Sequence, residues 1–164
     1  MNLRETIDLF LHEKKLAIAG VSHNQKKFGY LLFKTSREKG FSVTPINPKG
    51  GAIDGVECVE SLTNLDIGIH NLLIATHKRD TKKVMEEAIA KGIRNIWVQN
   101  GCESDEALKI ARENNVNLVS NTCFLMYAWP RGIHKFHQTL SSWIGKYVKE
   151  TSAVKRTDAH GTNH

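Results

Sequence analysis

An α/β fold with a parallel sheet flanked by helices is what the apolar rhythm of this chain predicts. Short, nearly continuous apolar runs alternate with longer amphipathic stretches, and glycine or proline stands at most of the junctions. Alternation of that kind calls for βαβ units, whose crossovers are right-handed and whose strands are parallel.

The N-terminal stretch MNLRETIDLFLHEKK has acidic residues within its apolar part and no small-residue cleavage site, so it does not read as a signal peptide. Leu16 to Ala19 is a short buried strand that stops at Gly20. From Lys27 to Glu38, Phe28, Leu31, Leu32 and Thr35 recur at helical spacing, and Gly40 closes that helix as a C-cap. Phe41 to Asn47 is the second strand, halted by Pro48 and the turn Lys49-Gly50-Gly51. Ile69 to Ala75 is the third, followed by a helix over 80–91 that ends at Gly92. Asn95 to Gln99 and Asn117 to Ser120 are the fourth and fifth strands, with a helix over 104–114 between them whose N-cap is Ser104. Together these predict a Rossmann-like, doubly wound, five-stranded parallel sheet with helices on both faces. A further amphipathic helix over 132–150 (Ile133, Phe136, Leu140, Trp143, Ile144, Tyr147) packs on or beside it. The expected organisation is a domain over 1–131, that added C-terminal helix, and a polar, disordered tail over 151–164.

Composition narrows the function classes. The chain has 164 residues, 40% hydrophobic and 24% charged, which suits one globular domain and excludes a disordered chain. No apolar run reaches the length of a membrane-spanning helix. Three cysteines, Cys58, Cys102 and Cys123, are an odd number and argue against a disulfide framework, so a reducing cytoplasmic setting is expected. A formal net charge of +6 suggests an anionic partner. For nucleic acid, Lys26, Lys27, Lys78 and Arg79 lack the aromatic or arginine-rich interleaving usual in such surfaces, and none is expected.

Ligands of doubly wound folds bind outside the carboxyl ends of the strands, so the strand-end residues read as a group. After the first strand come Gly20, Val21 and Ser22, with Lys27 and Phe28 opening the next helix. A small residue lets the chain turn sharply there, and the helix start attracts an anion. The loop is not a GxGxxG motif. After the second strand stand Asn47, Pro48 and Lys49, where a fold that takes NAD carries an acidic residue for the ribose hydroxyls. Lysine there favours a nucleotide with an additional ribose phosphate, NADP or coenzyme A; the bland alternative is a plain turn. The third strand leads into Ala75, Thr76 and His77, the fourth into Gln99, Asn100 and Gly101, and the fifth into Asn121, Thr122 and Cys123. Ala75 admits a flat ring, Thr76 brings a hydroxyl, and the amides suit neutral polar groups. No strand end brings paired carboxylates, an activated nucleophile or a metal cluster, so no catalytic residue and no metal ligand is assigned. His134 and His137 stand three apart on the last helix without a third ligand, and His23 and His77 can hydrogen-bond phosphate or simply face solvent.

Five motifs in this order resemble the small stand-alone CoA-binding proteins. They are Gly20-x-Ser22 with Lys27-Phe28-Gly29, Ile46-Asn47-Pro48-Lys49, Ser61-Leu62, Trp97-Val98-Gln99-Asn100-Gly101, and Asn121-x-Cys123-x-Leu125-Met126. The fold they imply is similar to the N-terminal domain of the succinyl-CoA synthetase alpha subunit, over roughly residues 14 to 131. The resemblance implies that the adenosine diphosphate part of CoA lies across the Gly20–Ser22 loop and Lys49. Adenine and ribose then lie near Asn47 and Ala75–His77, and the pantetheine arm runs past Gln99–Gly101 towards Cys123. Thr76-His77 replaces the Arg-Pro or Pro frequent in the family, and Thr122 replaces a frequent Arg. The synthetase's phosphorylated histidine belongs to a following domain, so its activity is not implied.

The function expected is binding of CoA or an acyl-CoA by a non-catalytic carrier or sensor. Two alternatives stay open: an NADP-binding reductase or redox sensor, and an interaction module with a vestigial cleft. Trp129, Phe136, Trp143 and Tyr147 leave a homodimer face open as well.

Overall fold

The structure is a computed structural model, and it describes residues 2–128. Five parallel strands form its sheet: β1 (Lys15–Ala19), β2 (Ser42–Ile46), β5 (Asn71–Ile74), β6 (Asn95–Gln99) and β7 (Asn117–Thr122). A hairpin of two-residue strands, β3 (Ala52–Ile53) and β4 (Val56–Glu57), lies outside it. The helices are α1 (Leu3–His12), α2 (Phe28–Glu38), α3 (Lys78–Ala90), α4 (Asp105–Glu113) and α5 (Phe124–Ala128), with a 3-10 turn at Leu62–Asn64. The predicted parallel sheet is present with each strand within two residues of its expected ends. The expected helix over 132–150 and tail over 151–164 lie outside the described residues.

Strand order is β2-β1-β5-β6-β7. The chain steps one way from β1 to β2 and then the other way from β5 through β6 to β7. Right-handed crossovers taken in opposite directions put their helices on opposite faces. Accordingly α3 packs beside α4, and α2 packs beside α5. Strands covered on both faces lose the polar–apolar alternation of a half-exposed sheet. That is why Leu16–Ala19, Leu72–Ile74 and Ile96–Val98 are apolar and buried throughout. Pro45, which cannot donate to a ladder, sits in the edge strand β2, where its carbonyl instead accepts from Val59 N at 2.9 Å.

Helix α1, the β3–β4 hairpin, the 3-10 turn and α5 are not among the predicted elements. Helix α1 starts with a capping box: Asn2 Oδ1 accepts from Glu5 N at 3.0 Å, and Glu5 Oε2 accepts from Asn2 N at 2.9 Å. Its buried Ile7 and Phe10 face the sheet, and Phe10 meets Trp97 and Phe124 edge-on at 5.5 and 6.0 Å. The β3–β4 hairpin turns at Asp54-Gly55, both at positive φ (48° and 76°), which is the two-residue turn whose twist suits a hairpin. Short α5 brings Phe124 into the aromatic core, 5.3 Å from Trp97 and perpendicular to it.

The amino-terminal edge of the sheet carries a row of asparagines in register, Asn71 beside Asn95 beside Asn117. Asn117 Nδ2 donates to Asn95 Oδ1 at 2.8 Å, Asn95 Nδ2 to Asn71 Oδ1 at 3.0 Å, and Asn71 Nδ2 to the Phe10 carbonyl at 2.7 Å. Each amide thus satisfies its neighbour, and the row fastens α1 to the sheet.

Candidate functional site

The order of the strands reverses between β1 and β5, and the carboxyl ends of these two strands therefore flank the natural crevice of the fold. Backbone crowds that point. Gly20 lies at φ +94°, and a Cβ there would strike the carbonyl of Ala75. A Cβ on Gly29, in the first turn of α2, would strike the carbonyl of Gly20. Only glycine meets both demands, so the loop between β1 and α2 is held close against the end of β5. Lys27 is the N-cap of α2 and makes no capping bond through its side chain.

Asn47 stitches the β1 loop to the β2 loop. Its Nδ2 donates to the Val21 carbonyl at 2.8 Å, and its Oδ1 accepts from Lys49 N at 2.9 Å. Nδ2 also lies 3.4 Å from His23 Nδ1. Gly50 N donates to the Asn47 carbonyl at 2.9 Å, closing the turn that presents Lys49. Ser22 Oγ accepts from Asn24 N at 3.1 Å, and Asn24 Oδ1 accepts from Lys26 N at 2.9 Å, so the lysine-bearing loop is internally braced.

The other strand ends are braced in the same manner. Buried Thr81 of α3 donates to the Cys102 carbonyl at 2.6 Å and lies 3.2 Å from the Thr76 hydroxyl. Gln99 is only 2% exposed, and its Oε1 accepts from Phe124 N at 3.1 Å. The Glu103 carboxylate ties the loop after β6 to the end of β7, accepting from Gly101 N at 2.7 Å and from Asn121 N at 2.9 Å. Asn121 itself stands at φ +58°, a left-handed conformation that asparagine tolerates better than most residues.

The residues expected at the site therefore fall along one edge but in different depths. Val21, Phe28, Gln99 and Cys123 are buried and form its wall. Gly20, Ser22, Asn47, Ala75, Thr76 and Thr122 are half-buried, whereas Lys27, Pro48, Lys49, His77, Asn100, Gly101 and Asn121 are exposed. From Asn47 beyond β2 to Cys123 beyond β7 the row crosses the whole sheet, with about 4.8 Å between neighbouring strands. The loop-bracing residues Thr81 and Glu103 were not singled out from sequence. Glu103 stands two residues beyond the Asn100-Gly101 turn, a spacing from which a carboxylate can reach back to turn amides. His134 and His137 lie outside the described residues.

Tyr30 on α2 donates to Asp54 Oδ2 at 2.8 Å, tying that helix to the hairpin turn. That bond raises the phenol pKa above its ordinary value of 10.0, with burial and the negative charges of Asp54 and Glu38 adding to it. Burial, assisted by Glu57, also raises the Cys58 thiol, which keeps it protonated and poorly nucleophilic at neutral pH.

The sequence profile of the CoA binding domain matches residues 14–128. An ADP-forming acetate–CoA ligase of Methanocaldococcus jannaschii is 26% identical over 151 residues, covering 87% of this chain but only 20% of the ligase, so the chain spans a small part of that relative. An uncharacterised Bacillus subtilis protein is 23% identical over 119 residues, covering 73% of this chain and 88% of that one. Among solved structures, a Pyrococcus horikoshii protein superposes with a TM-score of 0.71 at 26% identity, covering 77% of this chain and 89% of its own.

Proposed function

This chain belongs to the CoA binding domain family, and from that premise we propose that it binds coenzyme A, free or acylated, at the carboxyl edge of its sheet, as a carrier or sensor that performs no chemistry on it. The observation that carries this reading is the junction at the switch point. Gly20 and Ala75 bring two strand ends into backbone contact, and Asn47 adds the lysine-bearing turn of β2 to the same place.

In this reading the pyrophosphate lies over the Gly20–Ser22 loop, where Lys27 and the positive end of α2 favour negative charge. Lys49 neutralises the phosphate on the ribose. The adenosine lies between Asn47 and the segment Ala75 to His77, for which Ala75 leaves room. Pantetheine then follows the β6 and β7 loops, past Gln99, Asn100 and Gly101, towards Asn121 and Cys123. Polar side chains in the wall are spent on loop backbone: Asn47, Thr81, Gln99 and Glu103 all hold main-chain groups. Such an edge is preorganised to bind, and a preorganised edge loses little entropy when the ligand arrives.

Titration calorimetry with CoA, acetyl-CoA, NADP and NAD tests the proposal. Saturable heat from CoA or acetyl-CoA and none from the two dinucleotides is expected. A folded protein that gives no heat with CoA rejects it.

A further inference from the structure

The polar groups around His23 determine which of its nitrogens carries the proton. Two backbone partners fix the amide of Asn47: Oδ1 takes a hydrogen from Lys49 N, and Nδ2 gives one to the Val21 carbonyl. Reversing the amide would set donor against donor and acceptor against acceptor at both contacts. The second Nδ2 hydrogen is left for His23 Nδ1, 3.4 Å away. A ring nitrogen that faces an amide donor does best by offering a lone pair, so this contact favours the proton on Nε2 in neutral His23.

Nε2 lies beside the turn that follows β2: a Cβ on Gly51 would stand 3.3 Å from it. Gly51 lies at φ +77°, a conformation that favours glycine, and so has no side chain to fill the space beside the ring. His23, Lys49 and Gly51 are all exposed. His23 Nε2 thus lies against the same short turn that carries Lys49, two residues before Gly51.

We infer that His23 is a further ligand-contacting residue, whose Nε2–H donates to the ribose phosphate of the bound nucleotide beside Lys49, with Asn47 setting the tautomer. This rests on the CoA reading above. It makes His23 a specificity determinant, separating a nucleotide that carries a ribose phosphate from one that does not.

Three variants and two ligands test it. Wild-type protein is expected to bind CoA more tightly than dephospho-CoA. His23→Ala should reduce that preference about tenfold, the size of a charge-assisted hydrogen bond, with dephospho-CoA affinity nearly unchanged. His23→Gln, whose amide nitrogen replaces Nε2, should keep most of the preference, and His23→Asn, whose amide replaces Nδ1, should lose it. In parallel, long-range nitrogen–proton NMR spectra of the unliganded protein at neutral pH should show the Nε2–H tautomer for His23. The side chain is exposed, so urea midpoints of the variants should match wild type.

A preference for CoA that survives His23→Ala overturns the inference and leaves CoA binding intact. So do equal losses for the two ligands, equal behaviour of the glutamine and asparagine variants, or an Nδ1–H tautomer. Wild-type protein that binds neither ligand overturns the reading of the cleft and this inference with it.

Discussion

The two ends of the sheet solve the same problem in opposite ways. At the amino edge, Asn71, Asn95 and Asn117 hydrogen-bond one another and the Phe10 carbonyl, so polar side chains saturate polar side chains. At the carboxyl edge, Asn47, Thr81, Gln99 and Glu103 bond main-chain groups at and beyond the strand ends, while Lys49, His23, His77 and Asn100 remain exposed. The first arrangement is self-sufficient and adds to stability. The second holds loops in shape and leaves charge and donors available for a ligand. The comparison teaches that polarity at a strand end is not by itself a sign of a site; what matters is whether its partners are already within the protein.

Changes at the amino edge should cost stability and spare binding. Asn71 is fully buried and joins two hydrogen bonds, so Asn71→Ala strands the Phe10 carbonyl and the Asn95 amide. A loss of about 3 kcal/mol in urea unfolding is expected, with the CoA affinity of the folded fraction unchanged. A comparable loss of affinity would dissolve the distinction between the two edges.

Lys49→Ala, at the other end, should do the reverse. CoA binding should weaken by about 2 kcal/mol, while dephospho-CoA binding and the unfolding midpoint stay near their wild-type values. Parallel titrations decide this, and equal losses for both ligands would remove Lys49 from the ribose phosphate.

Glu103→Ala sharpens the contrast within the carboxyl edge. It frees the amides of Gly101 and Asn121 at positions water can reach, so the stability cost should be only about 1 kcal/mol. Affinity for CoA should fall while that for adenosine 3′,5′-bisphosphate, which lacks the pantetheine arm, holds steady. Loss of the short ligand too would show that the clamp supports the nucleotide half.

The smallest effect concerns Tyr30. Its pKa is raised by the bond to Asp54, by burial and by nearby negative charge, so the folded protein holds this proton more tightly than the unfolded chain. The linked stability is present in full below the ordinary value of 10.0 and falls as pH rises through the higher folded value. Ultraviolet titration of the phenols should show one tyrosine ionising late, and Asp54→Asn should bring it back towards its ordinary range. A titration unmoved by that change would break the tie between α2 and the hairpin.

Much of this architecture was legible because the sheet is covered on both faces. Continuous apolar runs such as Leu72–Ile74, closed by glycines or followed by amphipathic stretches, have few other folded solutions. What stayed hidden was short or local. Each strand of the β3–β4 hairpin is two residues long, too short for periodicity, although Asp54-Gly55 is a strong turn pair. Helix α1 was recognisable from Asn2 and Glu5, a capping-box spacing at the start of an amphipathic stretch. The asparagine row was also visible in outline: Asn71-Leu72, Asn95-Ile96 and Asn117-Leu118 each put asparagine immediately before a strand's apolar run. Recognising a ladder needed the register, which only the paired strands supply. At the carboxyl edge the loops were locatable, yet the depth of each residue was not. Gln99 and Asn100 are adjacent, and one is buried in the wall while the other is exposed.

Amide chemical-shift mapping of the labelled protein with CoA tests the contrast between the edges most directly. Shifts are expected to cluster at residues 20–22, 47–51, 75–77 and 99–101, with the amides of Asn71, Asn95 and Asn117 unmoved. Shifts gathered at the asparagine row, or none at saturating CoA with the protein folded, would contradict it.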